Sequence, residues 1–148
     1  MEETKTYVIR ESKVVYKNFK KFKSPRLTTP AAIFDLFYKD VMKTPFEQFI
    51  AIYVDSANNI VSFTREGEGS QDQAIVYPRK VAKNALLNDC TRVIFVHNHP
   101  SGQPRPSEHD IAITKKLQEC LTTIDIETLD HIVIGDGNYY SFREHGLI

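Results

Sequence analysis

The apolar positions of this chain change their period several times, and each change marks an element. Ile33, Phe34, Phe37, Tyr38 and Val41 recur at the three-and-four spacing of one helical face. Thr28 or Thr29 can cap that helix, and Pro30 suits its first position, so the pattern predicts a helix to about Met42. Upstream, residues 7–10 and 14–19 read as two strands around a polar turn, followed by a basic, proline-punctuated connector over 20–29. Residues 46–55 form an apolar-rich run that predicts a strand. Ser56-Ala57-Asn58-Asn59 turns it, and residues 60–65 return. The glycine-containing stretch 66–73 reads as a loop. Pro78 opens a second helix with Val81, Ala82, Ala85 and Leu86 on one side, and residues 92–96 form a short apolar strand. Four of the nine residues 98–106 are Pro or Gly, so this is loop. Ser107 then caps a helix bearing Ile111, Ile113, Leu117 and Leu121. Residues 128–134 read as a strand, Gly135-Asp136-Gly137-Asn138 as a turn, 139–142 as its partner and 143–148 as a short tail. Strands, helix, hairpin, helix, strand, helix, hairpin predict an α/β fold, a mixed β-sheet flanked by helices.

Length and composition narrow this further. The 148 residues make one domain of ordinary size, able to bury a core without staples. Formal net charge is zero, so no overall field draws the chain to nucleic acid or membrane. The charge is uneven, however: residues 1–26 carry eight Lys/Arg against three Glu. That basic end reads as a solvated strand face or as a nucleic-acid contact. The two cysteines, Cys90 and Cys120, form no C-x-x-C pair, which excludes a zinc ribbon and speaks against a disulfide framework. Reduced thiols, a first stretch without the plan of a signal peptide and the absence of any apolar run near ~20 residues predict a cytoplasmic protein that does not enter a membrane.

The chemistry concentrates in residues 97–110. His97 and His99 stand at i and i+2, which places both imidazoles on one face of an extended strand. Asp110 follows eleven residues after His99, at the third position of the helix that Ser107 caps. The loop between lets the chain reverse, so the first turn of the helix faces the end of the strand. Two imidazoles and one carboxylate, with a fourth position left for water, are the donor set of a catalytic zinc site. Such a site lowers the pKa of its water to about 7, and a nearby carboxylate must then move the proton. Glu47 is the candidate, an acid near the start of an otherwise apolar strand. Glu66 and Glu68 compete for the role, but they flank glycines and read as exposed. Ser107 can hold the water or the developing oxyanion. His131, beside Asp130, reads as a core residue or a partner of the site. Asn98 is placed to orient the loop, and His109 and His145 read as surface.

Glu47 upstream of His97-x-His99-x7-Ser107-x2-Asp110 resembles the signature of the JAMM (MPN+) metalloproteases. The wording around it is narrower. His-Asn-His-Pro-Ser-Gly at 97–102, Pro106-Ser107 before Asp110, Tyr77-Pro78-Arg79, and Leu129-Asp130-His131-Ile132-Val133-Ile134-Gly135-Asp136-Gly137 resemble the RadC branch of bacterial JAB domains, over roughly residues 45–148. The resemblance implies a cytidine-deaminase-like JAB/MPN fold over a single domain, 1–148. It implies one zinc ion per chain on His97, His99 and Asp110, Glu47 as acid and base, and Ser107 as transition-state stabiliser. It implies a hydrolase cleaving an amide, isopeptide or peptide bond, with a peptide or isopeptide substrate. The alternative it carries is a DNA-associated accessory protein, in keeping with the DNA-repair label of RadC. Longer RadC proteins add a helix-hairpin-helix module; no such module is read in this sequence, whose residues 1–26 read as basic strands and connector. The letters His-Asn-His are not the signature of HNH nucleases, whose named residues lie well apart on a ββα fold. The H-x-E and P-C-x-x-C pieces of the zinc deaminases are missing.

Overall fold

The computed structural model describes residues 8, 10, 11, 13–19, 28–68 and 74–148, with the side chain of Glu68 outside that set. The first helix, α1 (Pro30–Val41), begins as its sequence dictates: Thr29 Oγ1 accepts from the amide of Ala32 at 3.3 Å, and Pro30 takes the first turn. Strands β1 (Gln48–Val54) and β2 (Ile60–Glu68) form a hairpin. Its turn is held by the Asp55 carboxylate, which accepts from the amides of Ala57 and Asn59 at 2.9 and 2.8 Å. Helix α2 (Pro78–Leu87), β3 (Arg92–Asn98), α3 (Glu108–Thr122), β4 (Glu127–Ile134) and β5 (Tyr139–Ser141) complete the chain.

The sheet order is β2-β1-β3-β4-β5. Only β3 and β4 run parallel, and α3 is the crossover that such a pair requires. The sheet is therefore mixed and the fold is the α/β arrangement that the periodicity predicts. On one face α1 packs Ile33, Phe37 and Val41 against Ile50, Ile52, Ile94, Val96, Ile132 and Ile134. On the other, Val81 and Ala85 of α2 and Leu117 and Leu121 of α3 cover Phe49, Ala51, Tyr53, Val93 and Phe95. Because β1 and β3 are covered on both faces, they read as unbroken apolar runs rather than as alternation.

Several expectations change. Residues 14–19 form no strand. A short apolar stretch needs a partner edge to become a strand, and here Val14, Val15 and Tyr16 stay exposed. Phe19 instead packs on Phe37 and Phe63, at ring-centroid distances of 6.0 and 4.7 Å. Tyr7 and Ile9 of the other expected strand, most of the connector (residues 20–27) and residues 69–73 of the expected loop lie outside the described residues. The loop expected from residue 66 begins later, because β2 continues to Glu68. Leu86 and Ile111, expected on buried helix faces, are 62% and 39% exposed, whereas the polar Thr114 is buried. Cys90 is buried and Cys120 exposed, and both are free thiols; burial raises the Cys90 pKa to about 11. Among the described residues, no helix is long and apolar enough to cross a membrane.

Candidate metal centre

The end of β3 and the start of α3 meet across a loop whose first half is anchored at two points. The amide of His99 donates to the carbonyl of Ile134 at 2.8 Å, and the amide of Asp136 donates to that of Gly102 at 2.9 Å. Gly102 has φ +93°, a backbone state that side chains resist. Its carbonyl lies where a side chain on Gly135 would stand, 2.4 Å from an added Cβ, so residue 135 must also be glycine for the loop to seat. Ser107 then starts α3 through a complete capping box. Its Oγ accepts from the Asp110 amide at 3.1 Å, and its own amide donates to Asp110 Oδ2 at 2.8 Å. The cap that begins the helix also aims the carboxylate.

His97, His99 and Asp110 converge. Their inward atoms are mutual neighbours: His97 Nε2 lies 3.0 Å from His99 Nε2 and 3.3 Å from Asp110 Oδ1, and His99 Nε2 lies 3.2 Å from Asp110 Oδ2. Bonds of about 2.0–2.2 Å to a tetrahedral zinc ion place two donor atoms about 3.3 Å apart. The three residues therefore fit a single divalent ion. The donor chemistry agrees. His99 Nδ1 sits 2.7 Å from the carbonyl of Gln103, which can only accept, so that nitrogen carries the hydrogen and Nε2 presents a lone pair inward.

Electrostatics separate the three. Burial drives the pKa of His97 below the ordinary imidazole value, against the pull of Asp110, so this ring is held neutral. Burial also pushes His99 down, but the bonds that its protonated ring makes to Asp110 and the Gln103 carbonyl, with the charges of Asp110 and Glu47, outweigh it, and the net shift is upward. For Asp110, burial would raise the pKa; the neighbouring imidazoles of His97 and His99 and the bond from the Ser107 amide overcome this and hold the carboxyl far below the usual range.

The remaining predicted residues fall into place or out of it. Glu47, 12% exposed at its side chain, brings Oε1 to 3.9 Å from His99 Nε2, beside the three donors. Ser107 is exposed at the same rim, and its hydroxyl accepts from Asp110, leaving its own hydrogen for another partner. Glu66, read above as exposed and a competing base, is buried; its carboxylate accepts from Tyr53 at 3.0 Å, from Asn84 at 2.9 Å and from Thr64. The pairing shifts between Phe49 and Ile50, so Glu66 is the extra residue of a bulge and keeps the side of the sheet that α2 covers. His109 and His145 are exposed.

Two residues left open by the sequence have definite surroundings. Asn98 is fully buried. Its Nδ2 donates to the carbonyls of Val41 and Phe46 at 3.2 and 3.0 Å, and its Oδ1 accepts from the Gln48 amide at 2.7 Å. It thereby clamps the backbone on both sides of Glu47. His131 is fully buried, with Nε2 2.7 Å from His97 Nδ1 and Nδ1 2.6 Å from Thr114 Oγ1. Burial, reinforced by His97, keeps its pKa well below the ordinary value. Thr114 was not singled out in the sequence. The available signal was its place four residues after Asp110, on the same helical face.

A family model for the RadC-like JAB domain matches residues 27–147. This chain belongs to that family. Curated relatives agree in extent: a UPF0758 protein of Trichlorobacter lovleyi is 44% identical over 123 residues, 83% of this chain and 54% of the relative. One of Methanosarcina mazei is 41% identical over the same share of each. One of Clostridium acetobutylicum is 38% identical over 133 residues, 90% of this chain and 58% of the relative. The chain spans somewhat over half the length of the curated relatives it matches, and their names state no activity. The fold and the His/His/Asp grouping agree with membership of this family.

Proposed function

We propose that the chain is a metal-dependent hydrolase of the JAMM type, zinc being the ion that suits its donors, and that it cleaves an amide, isopeptide or peptide bond. One observation carries the reading: the inward atoms of one aspartate and two imidazoles lie 3.0–3.3 Å from one another, with a second carboxylate, Glu47, 3.9 Å from His99 Nε2. The ion, when bound, supplies Lewis acidity and lowers the pKa of a water in its open position to about 7. Glu47 takes a proton from the attacking water as its oxygen adds to the carbonyl carbon, then passes that proton to the nitrogen as the C–N bond breaks. The Ser107 hydroxyl donates to the oxygen that becomes negative. The Asn98 clamp fixes the backbone that carries Glu47. The half-buried setting of Glu47 limits competing water.

The test is a pair of variants measured for zinc content and for turnover on a panel of peptide and isopeptide substrates. Wild type should hold about one zinc per chain, and His97→Ala should lose it. Glu47→Gln should keep the metal and lower turnover by roughly 10²–10⁴-fold. Full turnover by Glu47→Gln on a substrate that wild type cleaves would rule out this assignment.

A further inference from the structure

Four buried groups join the two ligand-bearing elements by a second route, away from the convergence point. Thr114 Oγ1 lies 2.6 Å from the backbone carbonyl of Asp110 and 2.6 Å from His131 Nδ1. His131 Nε2 lies 2.7 Å from His97 Nδ1. A carbonyl can only accept, so the single hydroxyl hydrogen of Thr114 is committed to Asp110. The Thr114 oxygen must then accept from His131, which places the hydrogen of that ring on Nδ1. His131 Nε2 is left bare and accepts from His97 Nδ1. His97 Nε2 in turn has no hydrogen and turns its lone pair to His99 and Asp110.

We propose that Thr114 and His131 are positioning residues that fix the tautomer of His97, ordering hydrogens from His97 through His131 and Thr114 to the carbonyl of Asp110. The inference rests on the metal reading only for its consequence. The order of hydrogens itself belongs to the chain alone. The rings have little freedom to undo it. His131 is stacked on Phe142 at 4.7 Å and set edge-on to Phe49 and Phe95 at 5.3 and 5.9 Å, and His97 lies parallel to Phe49 at 6.0 Å. Thr114 is 2% exposed and His131 0%, so no water competes for either partner. One helix thus presents Asp110 at the centre and, one turn later, the hydroxyl that orients the opposing histidine through β4.

Ring-nitrogen NMR of the metal-free wild type decides the order of hydrogens. His97 and His131 should both be Nδ1–H tautomers. An Nε2–H tautomer at His97 would overturn the proposal whatever the metal does. The consequence is read by zinc titration with a competing chelator. Thr114→Val and His131→Phe, which keep shape and packing, should weaken zinc about 10–100-fold, and Thr114→Ser should restore most of the loss. Unchanged zinc affinity in folded His131→Phe, checked by circular dichroism, would also overturn it. Should either variant fail to fold, the wild-type spectrum still decides between the two tautomers. A wild type that takes up no zinc in the titration would defeat the proposed function, while the tautomer result stands or falls by itself.

Discussion

Two of the carboxylates buried among the described residues, Glu66 and Asp110, are treated in opposite ways. Glu66 is met by donors with hydrogens to give, namely two hydroxyls and an amide, and its charge is answered inside the fold. Asp110 is met on its inner side by two imidazole nitrogens, one of which, His99 Nε2, is a lone pair by virtue of the Gln103 carbonyl behind it. A group surrounded by donors closes an interface, here α2 on the β1–β2 hairpin. A group surrounded by other electron-rich atoms asks for a cation. Burial of an acid therefore says little until the hydrogens around it are assigned.

The largest effect should come from exchanging the two acids' fates. Asp110→Asn should lower zinc affinity by roughly 10³-fold or more, since one of three protein ligands loses its charge, whereas Glu66→Gln should leave zinc stoichiometry unchanged. Equal loss of zinc in both, measured by metal analysis of folded protein, would erase the contrast. Next, Glu66→Gln should destabilise the fold by about 1–3 kcal/mol in urea denaturation, because a charge-assisted cluster becomes a neutral one with a misplaced donor. No change in midpoint would mean that the cluster contributes no net stability.

A third prediction concerns protons. His99 is shifted upward in the metal-free chain, so it is protonated below that raised value and must release its proton before Nε2 can bind an ion. His97, shifted downward by burial, competes only at lower pH. The rise in Tm produced by zinc should therefore be full above the raised value at His99 and shrink as pH falls through it. A zinc-dependent rise that grew on acidification would contradict the assignment. The smallest effect is expected at Thr128, whose Oγ1 is buried with no hydrogen-bond partner. Thr128→Val should be neutral or raise Tm slightly, since it removes an unanswered hydroxyl at nearly constant shape. A large loss would mean that this hydroxyl has a partner after all.

Much of the fold was legible because its signals are local. Pro30 and Pro78 opened helices, Ser56 to Asn59 turned a hairpin, and the doubly covered β1 and β3 betrayed themselves as apolar runs. The approach of His97, His99 and Asp110 was legible too, since one strand end, one loop and one helix cap contain all three. What could not be read depends on neighbours far along the chain. Glu66 resembled a loop acid because the bulge that turns it inward is a property of its pairing with β1. Thr114 went unread because β4 offers it a histidine rather than an apolar side chain. Residues 14–19 carried a strand pattern without a partner. His131 and Asn98 were ambiguous for the same reason: their roles lie in what stands 34 and 50 residues away.

The anchoring of the loop 99–106 has an outcome that would be seen away from the histidines. The backbone of His99 is tied to β4 at Ile134, and Gly102 is tied to the turn that follows at Asp136. An ion captured between β3 and α3 would therefore brace the parallel crossover and the β4–β5 turn together. Chelation should be recorded most clearly as faster deuterium uptake at the amide of Asp136. Protease sensitivity should open in the same place, at a joint that touches no metal.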